Sequence, residues 1–277
     1  MFKLELDEFN QLRDLVYSKS GLYFDTKKLY FVEKRAERRI KEGRFTSFRE
    51  YFLSLKLEKD PDEIWNLIES LTTNETYFFR HIPQLESFVE EALPLVLEKK
   101  RVKKDYHLNI WSAASSSGEE IYTIAILLKE HIPDFATWRI HLLATDIDRK
   151  ILKKAKDGIY DSRSIKDVPP KLLKKYFTQL EENRYQLSAE IREMVDLQNL
   201  NLVNREKMRQ QKGKDFIFCR NVLIYFDDNA RKQVINYLYD ALNHNGFIFL
   251  GHSESVGRLS AAFKLVKFKK SLSYQKA

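Results

Sequence analysis

The sequence predicts an α/β protein: a doubly wound, mostly parallel sheet, preceded by an all-helical N-terminal region and interrupted by a small antiparallel β insert. Three observations predict it. Apolar residues recur at helical spacing through roughly the first seventy positions. From about residue 108, short and nearly continuous apolar strands alternate with helices. That alternation then breaks between Gly158 and Asp196. Strands apolar on both faces, each followed by a helix, belong to sheets covered on both sides.

The helical region begins with Phe9, Leu12, Leu15 and Val16 on one face and a stop at Gly21. "DTKKLYFVEKRAERRIKEG" follows, with Asp25 or Thr26 as its cap, an apolar set of Leu29, Val32, Ala36 and Ile40, and an opposite side rich in Lys and Arg. A short helix is expected from Thr46. Another is expected at "DPDEIWNLIESL", with Asp60 as cap and Pro61 at the first helical position. The sheet region supplies "LNIWSAA", "RIHLLATDID", "DFIFCRNVLIYF" and "FIFLG" as strands, with helices at "GEEIYTIAILLKEH", "RKILKKAKDG" and "DNARKQVINYLYDALNHNG". "FKLVKF" and "SLSYQK" read as an edge hairpin. Inside the break, "VPPKLLKKYF" reads as a helix from Pro169 or Pro170, and "FTQLEENRYQLS" as a hairpin turning at Glu182 and Asn183. The expected domains are 1–72 and 73–277, with the β insert at 159–195.

Composition narrows the class. With 43 % hydrophobic and 32 % charged residues the chain is globular and not disordered. No apolar run approaches bilayer length, so no membrane insertion is expected, and the acidic start does not read as an export signal. The single cysteine, Cys219, excludes an internal disulfide framework and suits a reducing cytoplasm; it reads as a core residue. A net charge of +8 favours an acidic partner without choosing among nucleic acid, membrane and protein.

Four stretches carry chemistry. In "LTTNETYFFR", Asn74, Glu75, Thr76 and Arg80 are interleaved with three aromatics, a mixture neither core nor surface accommodates easily. "WSAASSSGEE" joins the first strand to its helix. A pyrophosphate-binding turn would want three glycines, and only Gly118 is present. The turn therefore suits an adenosine ligand without pyrophosphate, such as S-adenosylmethionine, whose cationic end would face Glu119 or Glu120. The plainer alternative is that both glutamates favour a helix N-terminus. In "ATDID", Asp146 at the rim of the strand is placed for ribose hydroxyls, and Asp148 for capping the next helix. In "CRNVLIYF", Arg220 and Asn221 end an otherwise apolar strand and need partners.

Taken in order, "LTTNETYFFR", "IWSAASSSGEEIYTIAI", "ATDIDRKILKKAKDGIY", "NLNL", "FIFCRNVLIYF" and "GHSES" closely resemble the CheR family of chemotaxis receptor glutamate O-methyltransferases. The resemblance spans almost the whole catalytic region, and "KRAERRI" extends it into the helical one. It implies a sheet of the class I S-adenosylmethionine-dependent methyltransferase type. It implies S-adenosylmethionine as donor and methyl ester formation on glutamates of chemoreceptor cytoplasmic helices. The cofactor contacts it carries over are Asn74, Thr76, Arg80, Glu120, Asp146, Asn201, Leu202, Arg220 and Asn221. Arg80 and Tyr225 would lie nearest the reacting groups, with no metal. Ser117 and Ile121 depart from the commoner Thr and Pro. On this reading the aromatics of "NETYFFR" cover the cofactor, and Arg80 offers a fork to a carboxylate. The partners are methyl-accepting receptors with an acidic helical bundle, approached by a monomer. A nucleic-acid methyltransferase is the rival, but the Asn- or Asp-Pro-Pro-aromatic loop of amino-methylating enzymes is missing from "CRNVLIYF". A cofactor-binding sensor that transfers nothing is a second rival. Some family members capture a receptor tail on their β insert through a glycine-rich hairpin. Here no glycine occurs between Ile159 and Lys212, so no such tether is expected.

Overall fold

The computed structural model describes residues 3–256 and 262–277. The chain divides into two compact units, Met1–Thr73 with Ile224–Arg231, and Asn74–Leu223 with Lys232–Ala277.

The first unit holds α1 (Leu6–Ser20), α2 (Leu29–Glu42), α3 (Phe48–Lys56) and α4 (Glu63–Leu71). Phe9, Leu12 and Val16 are the buried face of α1, and Val32, Ala36 and Ile40 that of α2. Gly21 ends α1 in the left-handed region, at φ 74°. Two starts differ from expectation. Ser47, one residue beyond Thr46, caps α3 by accepting from the Glu50 N–H, while Thr46 donates its hydroxyl to the Glu50 carboxylate. Asp60 closes a local turn onto Asp62 N–H at 3.0 Å, so Pro61 stays outside and α4 begins at Glu63. Not all the basic residues of α2 stand in solvent. Arg39 is tied to Glu63 and Glu42, with only 15 % of its side chain exposed. The segment Ile224–Arg231 belongs to this unit. Tyr23 N–H donates to Tyr225 O at 3.0 Å, Leu22 forms a β-bridge with Phe226, and Tyr17 Oη donates to Asp227 at 3.0 Å.

The second unit runs α5 (Ile82–Ser87), a π-helical turn at Phe88–Ala92, α6 (Leu93–Val102), β1 (His107–Ala113), α7 (Glu119–His131), β2 (Arg139–Asp146) and α8 (Arg149–Asp157). The insert follows as β3 (Ile159–Tyr160), α9 (Pro170–Tyr176), β4 (Phe177–Glu181), β5 (Arg184–Leu187) and α10 (Ala189–Arg192). The chain continues with β6 (Val195–Asn199), α11 (Arg205–Gln210), β7 (Lys214–Cys219), α12 (Asp228–Ala241), β8 (Leu242–Leu250), β9 (Phe263–Lys267) and β10 (Leu272–Lys276).

The main sheet has seven strands in the order β6-β2-β1-β7-β8-β10-β9. Its first five strands are parallel, and β9–β10 is the antiparallel edge hairpin the sequence predicts. The strand order reverses between β1 and β7, which puts the carboxyl ends of those two strands at the switch point. Two strands are additions to the sequence reading. β6 is the open edge, "VDLQN", and β3 makes the insert a three-stranded sheet, β3-β5-β4, where a hairpin is expected. Phe88 anchors the core on one side of the sheet. Its ring meets Phe216, Phe218 and Phe249 edge-on at 5.1, 5.2 and 5.9 Å, and full burial of such a ring stabilises by about 2 to 3 kcal/mol. No helix among the described residues is long and apolar enough to cross a membrane.

Candidate functional site

The turn from β1 to α7 is built from alternating left-handed residues: Ala114 at φ 65°, Ser116 at φ 52° and Gly118 at φ 91°. Only the last is a glycine, so the turn carries strain on the order of 1 kcal/mol or more at each of the others. The strain is held by bonds to the neighbouring strand. Ser115 N–H donates to Thr145 O at 2.9 Å and Ser116 N–H to Asp146 Oδ2 at 2.8 Å. Gly118 itself serves packing: a Cβ there would stand 2.7 Å from the Tyr122 ring.

Asp146 lies deeper than the rim position expected of it. It is 6 % exposed, and its other oxygen accepts Asp148 N–H at 3.0 Å. Burial pushes its pKa up to about 6, against the pull of those backbone donors. Asp148 caps α8 through the N–H groups of Lys150 and Ile151, and its second oxygen accepts from Asn74 Nδ2 at 2.9 Å. The Asp146 carbonyl accepts Leu200 N–H and Asn199 Nδ2, both at 3.0 Å, so the loop carrying Asn201 and the buried Leu202 is fastened beside it. Asn201 Oδ1 accepts Val203 N–H at 3.1 Å.

The two glutamates after the turn separate. Glu119 is buried under the Ser117 hydroxyl, and burial raises its pKa. Glu120 faces the strand ends. It accepts from Ser112 Oγ at 2.7 Å and pairs with Arg220 Nη1 at 2.9 Å, with side chains 13 % and 4 % exposed. Arg220 Nη2 reaches the Arg80 carbonyl at 3.0 Å. Arg80 in turn folds its guanidinium onto the Glu75 carbonyl at 2.7 Å and lies 5.5 Å from the Tyr77 ring. Arg80, Glu120 and Arg220 therefore form one connected chain across the switch point. Asn221 stands next to it in the left-handed region, its N–H held by Glu254, which also binds the N–H groups of Leu223 and Gly251. A Cβ on Gly251 would come within 2.9 Å of Asn221 N, so the close approach needs glycine.

Two expectations change. Phe78 and Phe79 are core residues at 0 % and 6 % exposure, and only Tyr77 of the three aromatics stays half-buried at the surface. Sequence adjacency hides this, because the left-handed backbone at Phe79 takes the segment out of any regular helical or strand period. Tyr225 belongs to the first unit, in the segment that pairs with Tyr23. Ser112, Ser116 and Glu254 are organisers the sequence reading does not single out. The signal available for Glu254 is Gly251 three positions before it.

Residues 74–272 match the family described as "CheR methyltransferase, SAM binding domain", and residues 7–72 its "all-alpha domain". This chain belongs to the CheR methyltransferase family. It is 44 % identical to "Chemotaxis protein methyltransferase 2" of Vibrio cholerae over 97 % of this chain and 92 % of that one. It is 36 % identical to the chemotaxis protein methyltransferase of Borreliella burgdorferi, over 90 % and 88 %. It is 33 % identical to the Escherichia coli chemotaxis protein methyltransferase, over 93 % and 87 %. As a CheR methyltransferase it uses S-adenosylmethionine, and the strand ends fit that group. Arg220 Nε and Ser115 Oγ are buried there without a hydrogen-bond partner among the described residues, a state that a ligand bearing acceptors and donors relieves. The Glu120 carboxylate suits the cationic end of such a ligand, and the Asp146 carboxylate, held by the Ser116 and Asp148 N–H groups, keeps acceptor capacity for hydroxyl groups.

Proposed function

We propose that this methyltransferase esterifies glutamate side chains on the cytoplasmic helices of chemoreceptors. The observation that carries the reading is the charge balance at the switch point. Glu120 is cancelled by Arg220, and Arg80 is the cation beside them with no ion pair among the described residues. An acidic acceptor is favoured beside it. A carboxylate also needs no general base, being ionised at pH 7, so the engagement of both Glu120 and Asp146 with other partners does not impede it. The cofactor supplies an electrophilic methyl group on a cationic sulfur. The protein's share is binding and positioning.

In this reading Asn74, Thr76, Arg80, Glu120, Asp146, Asn201, Leu202, Arg220 and Asn221 hold the cofactor, and Arg80 orients the acceptor. On the β8 side a cavity of about 450 Å³ opens, with His81, Gln84, His252 and Lys270 in its lining. Its one acid, Glu254, is spent on three backbone N–H groups. His81 is held below its usual pKa by burial and by Arg220 and Arg80, so at pH 7 it is a neutral hydrogen-bonding group. The family relatives named as chemotaxis methyltransferases support receptors as the substrate. The exposed Lys28, Lys34 and Arg38 of the basic helix support docking on an acidic helical bundle. A cytoplasmic monomer is the form this reading assumes.

The test is transfer of a tritiated methyl group to receptor cytoplasmic fragments, to an unrelated acidic protein and to nucleic acid. The reading expects base-labile label, released as methanol, on the receptor alone. Base-stable label, or label on nucleic acid, overturns it.

A further inference from the structure

The strap that carries Arg80 is fastened to the entrance of the β insert. Phe78 N–H donates to Ser164 O at 2.8 Å. The Phe78 ring is held edge-on between Tyr160 and Phe177, at 4.8 and 5.0 Å, and both of those belong to the insert. Glu75 lies 3.6 Å from Arg163. The Tyr77 ring has two cations over it, Lys166 Nζ at 4.1 Å and Arg80 at 5.5 Å from its centroid. Phe78 and Ser164 are buried and serve the core. Lys166 is exposed, and among the described residues the Tyr77 ring is its one recorded contact.

We propose that Lys166 and Tyr77 are positioning residues for the cofactor site, with the ammonium and the ring together setting where the Arg80 guanidinium stands. The inference rests on the reading of Arg80 as a cofactor contact. The physical case is direct. Two cations attracted to one ring are fixed relative to it. The Glu75 carbonyl holds the same guanidinium by a hydrogen bond at 2.7 Å. Lys166 therefore anchors Tyr77 to the 161–168 loop, and Tyr77 limits where Arg80 swings. The geometry also links the insert to the cofactor, because the residues holding the strap are those that lead into β3 and β4. A shift of the insert is passed to Arg80 through Tyr77 and Phe78.

The experiment is calorimetric titration of the full chain with S-adenosylmethionine and S-adenosylhomocysteine, with the melting temperature of the ligand-free protein measured in parallel. Five variants are compared: Lys166→Ala, Lys166→Arg, Tyr77→Leu, Tyr77→Phe and Arg80→Ala. Lys166→Ala and Tyr77→Leu are expected to raise Kd about three- to tenfold, as loss of a cation–ring contact predicts. Their ligand-free melting temperatures should stay near wild type. Lys166→Arg and Tyr77→Phe keep a cation over a ring and are expected to restore Kd to within about twofold of wild type. A core role for Tyr77 would instead move the melting temperature and leave Kd alone. Wild-type Kd in Lys166→Ala and Tyr77→Leu, alongside a weakened Arg80→Ala, overturns the positioning role and leaves the site reading standing. Wild-type Kd in Arg80→Ala removes Arg80 from the site, and the inference falls with it.

Discussion

The backbone N–H of Ser116 donates to the Oδ2 of Asp146 at 2.8 Å, and this bond joins the strained turn after β1 to the end of β2. Because the Asp148 N–H takes the other oxygen, one carboxylate organises two loops. Asp146 is thus part of the scaffold as well as a proposed cofactor contact, and the two roles are separable by experiment.

Asp146→Ala leaves two buried N–H groups unsatisfied and should destabilise the ligand-free protein by about 2 to 5 kcal/mol. Chemical denaturation measures this. A variant as stable as wild type would show that water or a loop shift replaces the carboxylate at little cost.

The pH dependence of Asp146 has a definite sign. Its folded pKa, about 6, lies above the ordinary 3.8. The folded state therefore binds the proton more tightly. The group's contribution to stability is fully present below about pH 4 and is lost as pH rises to about 6, a change on the order of 3 kcal/mol. The stability difference between wild type and Asp146→Asn should fall across that window and be level above pH 7. A difference that rises between pH 4 and 6 contradicts the assignment.

The Glu120–Arg220 pair should behave as a buried ion pair. Removing one partner, as in Glu120→Ala, strands a charge that is almost fully buried and should cost about 3 kcal/mol or more. Replacing both, as in Glu120→Gln with Arg220→Gln, should recover much of the stability but not S-adenosylmethionine affinity. Recovery of both by the double variant would show that the pair serves folding alone.

The turn after β1 makes two opposite predictions. Ala114→Gly relieves a left-handed alanine and should raise ligand-free stability by up to about 1 kcal/mol. Gly118→Ala sets a methyl group 2.7 Å from the Tyr122 ring at an unfavourable φ, and should lower it by about 2 kcal/mol. Thermal melts of the two variants against wild type decide both.

The basic helix predicts a split by position. Lys28→Glu and Arg38→Glu change exposed charges and should raise KM for receptor about three- to tenfold at low salt, with cofactor affinity unchanged. Arg39→Glu strands the buried Glu63 and should destabilise the protein instead. Equal receptor kinetics for wild type and the exposed-charge variants would reduce that face to ordinary solvated surface.

Much of the fold was legible because strand and helix announce themselves by period. The edge strand β6 escaped because "VDLQN" alternates with polar residues over only five positions, which a loop does equally well. Asn74, Arg80, Glu120, Asp146 and Arg220 stood out as polar residues in or beside apolar stretches, and the structure gathers them into two bonded groups, Arg80–Arg220–Glu120 and Asn74–Asp148–Asp146. The orientation of each was not legible. Adjacent residues such as Glu119 and Glu120 look equivalent until the helix assigns one to the core and the other to the strand ends. Left-handed Ala114 and Ser116 carry no compositional mark, since the conformation is imposed by bonds to a strand distant in sequence.

The membership of Ile224–Arg231 in the helical unit bears on biosynthesis. Domains ordinarily fold in turn as the N-terminal one leaves the ribosome. Here the first unit lacks a piece until residue 231 has been translated. Until then the Tyr17 hydroxyl has no Asp227 to bond and Leu22 no Phe226 to bridge. A nascent chain arrested between the two units holds four helices but not their completed packing. Four of the seven strands of the main sheet, β1, β2, β6 and β7, must be translated before the helical unit can close.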